Sequence, residues 1–174
     1  CSSDLRADAL VIAHRSPPLT LLADTMMKQS QNLYAETLVK VLGSGSWPAG
    51  LSDTQSLLAA WTIPAGSIAQ ADGSGLSRYN YAAASALVSV LKQMDADGQH
   101  RARFRATLPV AGRSGTLEQR LRGTAAEGRV AAKTGSMSNA RSLAGYATTA
   151  NGESVVFAVI ANNFGASEIG RAHV

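Results

Sequence analysis

Residues 129–161 read RVAAKTGSMSNARSLAGYATTANGESVVFAVIA, and this stretch decides the class of fold. Apolar and polar residues follow the period of strands over residues 129–134, 143–149 and 154–161. Asn151-Gly152 separates the last two segments and is a strong signal for a two-residue hairpin turn. The stretch therefore predicts an antiparallel sheet.

Helical patterns precede this sheet. Apolar residues recur at helical spacing over residues 19–42 and are interrupted by Lys28-Gln29-Ser30-Gln31-Asn32, which predicts two helices meeting at a polar turn. Gly43 is expected to end the second helix. Weaker signals predict further elements: a loop at 43–50, a helix from Ser52 to Trp61, a strand at 68–71 and helices at 81–94 and 117–121. A helical region followed by an antiparallel sheet is an α+β fold.

Length, composition and charge limit the classes of function. The 174 residues are 45% hydrophobic, which fits one globular unit, and no apolar run approaches the roughly 20 residues that span a bilayer. The net charge of +4 includes a cluster at Arg101, Arg103 and Arg105, yet the other basic residues are dispersed and no aromatic residues alternate with them. We therefore expect a solvated basic face suited to an anionic substrate, with no nucleic-acid partner and no transmembrane segment.

The first and last residues of the chain can be encoded by the same short DNA element read on opposite strands. Ile169-Gly170-Arg171-Ala172 can be encoded as ATCGGAAGAGCA, whose reverse complement encodes Cys-Ser-Ser-Asp, the first four residues. We therefore expect residues 1–5 and 169–174 to be non-native and adaptor-derived, and residues 6–168 to be a fragment of a longer protein. The only cysteine, Cys1, offers no disulfide and no cysteine-based metal site.

Lysine-based serine chemistry is the best match among the catalytic motifs. There is no Gly-x-Ser-x-Gly sequence, and His14 and His100 lie in polar, loop-like contexts, which argues against a histidine triad and against a metal site. Lys133-Thr134-Gly135 lies on a predicted strand and is followed by Ser136. About 100 residues earlier, Ser30-Gln31-Asn32 lies at the predicted helix turn. Ser-x-Asn is a weak signal alone, whereas Lys-Thr-Gly on a strand is a rarer one.

Each motif also has a structural interpretation. Ser30 or Asn32 would cap a helix well, and Lys133 could be a solvated lysine on an edge strand. The order and context of the motifs favour a site instead. A lysine at a strand edge, beside a glycine that lets the substrate backbone approach, can hold a peptide carboxylate. A serine–asparagine pair can relay a proton and position an amide.

The resemblance extends beyond these two motifs. Asp72-Gly73-Ser74-Gly75-Leu76-Ser77 is particularly specific to class C penicillin-binding proteins, the D-alanyl-D-alanine carboxypeptidase/endopeptidase group. Further stretches resemble landmarks of that group in the same order: residues 16–19, 27–36, 72–80, 108–117 and 132–145. The resemblance implies the penicillin-binding/β-lactamase-like transpeptidase fold, α+β, incomplete at both ends. It makes residues 6–168 the C-terminal portion of one D-Ala-D-Ala peptidase catalytic domain.

The resemblance also implies a function. It indicates a serine-type peptidase of the periplasm or cell envelope that cleaves peptidoglycan stem peptides through an acyl-enzyme, is inhibited by β-lactams and needs no cofactor. Ser30 would pass a proton to the leaving amine, Asn32 would bind the substrate amide, and the Ser136 N–H would supply half of the oxyanion hole. The implied catalytic residues are Ser30, Asn32 and Lys133, and the implied substrate-binding residues are Thr134, Gly135 and Ser136.

The nucleophile is the missing part. The family's Ser-x-x-Lys precedes both other motifs, whereas Ser89-Val90-Leu91-Lys92, the only such sequence here, lies between them. We interpret it as ordinary helix composition, place the nucleophile upstream of Ala7, and expect the chain as given to be inactive. Two alternatives remain open: a β-lactamase or esterase on the same scaffold, and a non-catalytic peptidoglycan-binding relative.

Overall fold

The computed structural model describes residues 14–164. The predicted boundaries of 6–168 and the adaptor-derived ends lie outside the described residues. The described part has helices α1 to α5, a 3-10 helix and strands β1 to β5. In chain order these are α1 Leu19–Gln29, α2 Asn32–Leu42, α3 Trp47–Ala60, β1 Ile68–Ala69, β2 Tyr81–Ala82, α4 Ala84–Ala96, α5 Arg101–Thr107, the 3-10 helix Gly115–Leu117, β3 Val130–Met137, β4 Ala140–Thr148 and β5 Ser154–Asn162. The predicted α+β class is confirmed.

The first two helices meet as predicted. α1 ends at Gln29, and α2 begins at Asn32 after a turn of two polar residues. Gly43 ends α2 as predicted, and the Gly43 N–H donates a hydrogen bond to the Val39 carbonyl. No helix within residues 14–164 has both the length and the apolar character needed to cross a membrane.

The predicted sheet forms in the order β3-β4-β5, with both pairs antiparallel. The turn between β4 and β5 is longer than the two residues predicted. The Thr149 N–H donates to the Glu153 carbonyl, and the Gly152 N–H donates to the Thr149 carbonyl, so three residues form the loop. Gly152 has a φ of 84°, and a glycine with positive φ in third place is typical of such loops.

The weaker helix predictions need correction. α3 begins at Trp47, not near Ser52, because Ser46 caps it by accepting the Ala49 N–H and Pro48 suits the first turn. The predicted loop therefore ends at Ser46. Tyr81 belongs to β2, so the next helix begins only at Ala84. The helix predicted at 117–121 is instead the single 3-10 turn Gly115–Leu117.

The core lies between the helices and one face of the sheet. Leu91 of α4, Leu108 and Tyr146 of β4 form its buried centre, and residues from α1 and α5 pack against it. The Tyr146 hydroxyl donates to the Leu91 carbonyl at 2.8 Å. Arg105 of α5 lies 4.0 Å from the centre of the Tyr146 ring. These contacts fasten α4 and α5 to the sheet and so place α1 beside it.

Replacing Leu108 tests this core. The side chain is 1% exposed, so Leu108→Ala should lower the free energy of unfolding by about 2–5 kcal/mol through lost burial and a residual cavity. Leu42→Ala is the matched control, because Leu42 is 60% exposed and its replacement should cost less than about 1 kcal/mol. Urea unfolding followed by circular dichroism measures both, and equal losses in the two variants would contradict the assignment.

Candidate active site

Ser30 lies at the turn between α1 and α2 in a left-handed conformation, with φ 56° and ψ 50°. This conformation ends α1, and the next N–H, that of Gln31, returns to the Met26 carbonyl at 3.1 Å. Non-glycine residues rarely adopt it because the Cβ crowds the backbone. The side chain does not cap α2, whose N-cap residue is Gln31. Ser30 is therefore free to point across to the sheet.

The structure brings Ser30 and Lys133 together across 103 positions of sequence. The Lys133 ammonium donates to the Ser30 hydroxyl at 2.8 Å and to the Thr134 carbonyl at 2.8 Å. Lys133 is half-buried, and this desolvation lowers the pKa of its amine below the ordinary 10.5. The alternative of a freely solvated strand lysine does not fit these contacts.

The free edge of β3 presents backbone groups to the same place. The Ala132 N–H donates to the Pro109 carbonyl, and the Val130 carbonyl accepts from the Ala111 N–H, so even-numbered residues direct their backbone groups away from β4. Because strands repeat every two residues, the N–H groups of Thr134 and Ser136 point to that edge as well. The predicted position for an oxyanion-hole N–H is thus at the edge of the cleft.

Gly135 lies against Ser142 of β4. A Cβ at this position would lie 2.3 Å from the Ser142 hydroxyl oxygen, so that hydroxyl would have to rotate to another rotamer. Sequence reasoning explained this glycine only by the close approach of a substrate backbone.

Thr116 is a site residue that sequence reasoning did not single out. The Thr134 hydroxyl donates to the Thr116 hydroxyl at 2.8 Å. Leu117 is fully buried, and Gly115, with φ 58°, approaches so closely that a Cβ would lie 2.7 Å from the Lys28 carbonyl. This packing fixes Thr116 against the end of α1. The only sequence signal was its place in the family-like stretch 108–117.

These groups surround one open cleft of about 1000 Å³. Thr116 and the loop that begins at Asp72 line it. So do all six residues predicted for the site: Ser30, Asn32, Lys133, Thr134, Gly135 and Ser136. Ser89 and Lys92 are not among the lining residues, and the Ser89 hydroxyl donates to the Ser85 carbonyl one helical turn away. The cleft combines an amine–hydroxyl pair, a second hydroxyl pair and strand-edge N–H groups. Such a set can bind an anion and move a proton.

The chain matches one protein family over nearly its whole length. Residues 2–173 match the model of the D-Ala-D-Ala carboxypeptidase 3 (S13) family. The chain is 40% identical to a D-alanyl-D-alanine carboxypeptidase of Actinomadura sp. and 34% identical to one of Haemophilus influenzae, over 89% and 92% of its own length. It covers only 30% and 35% of those two proteins, so it spans about a third of the length of the curated relatives it matches.

Solved structures agree in fold. Penicillin-binding protein 4 of Haemophilus influenzae, solved with a β-lactam, superposes with a TM-score of 0.81 at 34% identity, over 90% of this chain and 38% of that one. A predatory endopeptidase of Bdellovibrio bacteriovorus, acylated by penicillin G and bound to an immunity protein, gives a TM-score of 0.64 at 26% identity, over 84% of this chain and 39% of that one.

The lowered pKa of Lys133 predicts how stability depends on pH. Between that lowered pKa and the ordinary 10.5, the unfolded chain holds a proton that the folded chain has released, so the free energy of unfolding rises with pH across this window. Lys133→Met removes the contribution. Urea unfolding from neutral pH to pH 10 should show the wild type gaining stability relative to Lys133→Met as the pH rises. A constant difference would mean that the amine is not desolvated.

Proposed function

Because the chain belongs to the D-Ala-D-Ala carboxypeptidase 3 (S13) family, we propose that it is part of the catalytic domain of a serine-type D-alanyl-D-alanine carboxypeptidase/endopeptidase. The longer parent protein acts on peptidoglycan stem peptides in the periplasm or cell envelope, and β-lactams inhibit it. The observation that carries the proposal is the 2.8 Å hydrogen bond from the Lys133 amine to the Ser30 hydroxyl.

The reaction divides between this chain and a nucleophilic serine that the parent supplies from an upstream Ser-x-x-Lys segment. That serine attacks the carbonyl carbon of the penultimate D-alanine, and its hydroxyl proton moves to a neighbouring base. The peptide C–N bond then breaks, leaving an ester on the serine and releasing the terminal D-alanine. Water hydrolyses the ester in a second step.

Ser30 delivers the proton to the leaving nitrogen. Its oxygen accepts a hydrogen bond from Lys133, so its own hydrogen is directed away from the lysine and towards the cleft. Asn32, which lies two residues further on in the first turn of α2, binds the substrate amide and keeps the leaving nitrogen in reach. The Ser136 N–H donates to the oxygen that becomes negative when the carbonyl is attacked.

Lys133 and the two threonines form the site for the terminal carboxylate. The Lys133 charge attracts the carboxylate. The Thr134 hydroxyl donates to the Thr116 hydroxyl at 2.8 Å, which leaves the Thr116 hydroxyl hydrogen as the donor to the carboxylate. Thr116 adds a residue to the set named from sequence. A carboxylate held at this edge places the preceding amide bond along β3, next to the Ser136 N–H.

Labelling with a fluorescent penicillin tests whether the nucleophile lies upstream of this chain. The chain alone should give no labelled band on a denaturing gel, because this sequence has no Ser-x-x-Lys before Ser30 and we assign Ser30 to proton transfer, not to attack. The parent protein should be labelled at its upstream serine. Lys133→Ala should slow that labelling by on the order of 100-fold, whereas Lys92→Ala, which removes an exposed lysine from α4, should leave the rate unchanged.

Other labelling results would contradict the proposal in separate ways. A band on the chain alone that disappears in Ser89→Ala would make Ser89 the nucleophile. Rapid loss of label from the parent by hydrolysis would favour a β-lactamase. No label on the folded parent would favour a non-catalytic peptidoglycan-binding protein.

Substitution of Thr116 tests the carboxylate site. In the parent protein, Thr116→Val should raise KM about tenfold for a peptide that ends in D-Ala-D-Ala, because one hydroxyl contact to a charged group is lost. The same substitution should not affect binding of the C-terminal amide analogue. Thr116→Ser should restore KM, and Thr148→Val, at an exposed position near the far end of β4, is the matched control. Equal losses with acid and amide would refute a carboxylate contact.

A further inference from the structure

A glutamate outside the catalytic set holds one wall of the cleft. This wall is the rim loop, residues 72–77, most of which lines the cleft. One oxygen of the Glu36 carboxylate accepts the Ser74 N–H at 2.9 Å, and the other accepts the Gly73 N–H at 3.1 Å. Each carboxylate oxygen thus has its own backbone donor. Hydrogen bonds to an ionised acceptor are about twice as strong as neutral ones.

The rim loop lies directly on the backbone of α2. A Cβ on Gly73 would come within 2.6 Å of the Ala35 carbonyl oxygen, so only glycine allows this approach. Glu36 follows Ala35 on the helix, and its carboxylate therefore reaches the loop at the point of closest contact. Packing and hydrogen bonds act at the same place.

The rim loop is also braced internally. The Asp72 carboxylate accepts the Gly75 N–H at 2.6 Å, the Ser77 N–H and the Asn80 side-chain amide at 2.8 Å. Asn80 in turn accepts the Ala71 N–H at 2.8 Å. Because these bonds make the loop a unit, its position depends on how that unit is attached to α2. The Glu36 side chain attaches the rim loop to α2 through its hydrogen bonds with the Gly73 and Ser74 N–H groups.

The same helix carries part of the reactive set. Asn32 and Glu36 are four residues apart on α2, so they lie on one face of the helix, one turn apart. Asn32 and the rim loop line the same cleft. We propose that Glu36 is a positioning residue that fixes the rim loop as a substrate-binding wall at a set distance from Asn32; this proposal rests on the proposed peptidase function.

Substrate binding should depend on Glu36 more than the chemical step does. The Lys133–Ser30 contact joins β3 to the turn after α1 and involves neither Glu36 nor the rim loop. Loss of the carboxylate therefore leaves the proton-relay pair in place while the wall that contacts the peptide becomes mobile. The expected signature is a higher KM with little change in kcat.

Two measurements on the parent protein test the proposal with Glu36→Ala and Glu36→Gln. Hydrogen exchange at the Gly73 and Ser74 amides should accelerate about tenfold or more, because hydrogen bonds to an ionised acceptor are lost. KM for a D-Ala-D-Ala peptide should rise about fivefold or more, with kcat, normalised to the penicillin-titrated active fraction, within about twofold of wild type. Glu36→Gln should be intermediate, since it keeps one carbonyl acceptor.

Glu153→Gln is the control, because it removes the same charge at an exposed site in the turn between β4 and β5. It should change neither measurement. Unchanged exchange at Gly73 and Ser74 in Glu36→Ala would overturn the proposal, as would faster exchange with an unchanged KM. A fall in active fraction with normal KM would also overturn it, by assigning Glu36 a stabilising role only. A wild-type parent that neither binds penicillin nor releases D-alanine would refute the peptidase function instead, and the exchange measurement would still report whether Glu36 holds the loop.

Discussion

The site depends on a lysine amine that is partly withdrawn from water. Desolvation disfavours the charged form, and oxygen acceptors must replace the lost hydration. The Lys133 amine has two such acceptors, the Ser30 hydroxyl and the backbone carbonyl of the next residue, Thr134. One acceptor is on the turn after α1 and the other is on β3, so this amine links that turn to the edge of the sheet. The reactive geometry follows from that requirement.

Several unusual backbone features serve this contact. Ser30 adopts a left-handed conformation that directs its side chain away from both helices and towards the sheet. Gly115 allows the 3-10 helix to touch the end of α1 at the Lys28 carbonyl, which brings Thr116 beside Thr134. Strained or glycine-dependent positions are costly unless the surroundings compensate, and they often occur at functional sites. Here they lie on either side of the same amine.

The opposite wall of the cleft is built on a different principle. The Lys133 side relies on side chains that meet across long sequence distances. The rim loop instead organises its own backbone around Asp72 and attaches to α2 through Glu36. An amine–hydroxyl pair can change its proton distribution during a reaction, whereas the backbone N–H groups that hold the rim loop in place do not titrate. One wall is thus suited to chemistry and the other to holding a substrate.

The sequence by itself determined the elements whose signals are local. Periodicity and turn residues predicted the antiparallel sheet and the two helices that meet near Ser30, and the motif at Lys133 predicted which strand matters. Local signals failed where a cap or a glycine competed with the pattern, as at Ser46 and Gly152. Only the tertiary structure decided that the Ser30 hydroxyl meets the Lys133 amine, because that contact depends on how α1 packs against α5 and the 3-10 helix. Thr116 escaped prediction for the same reason, since burial of its neighbour positions it and no short-range pattern encodes that packing.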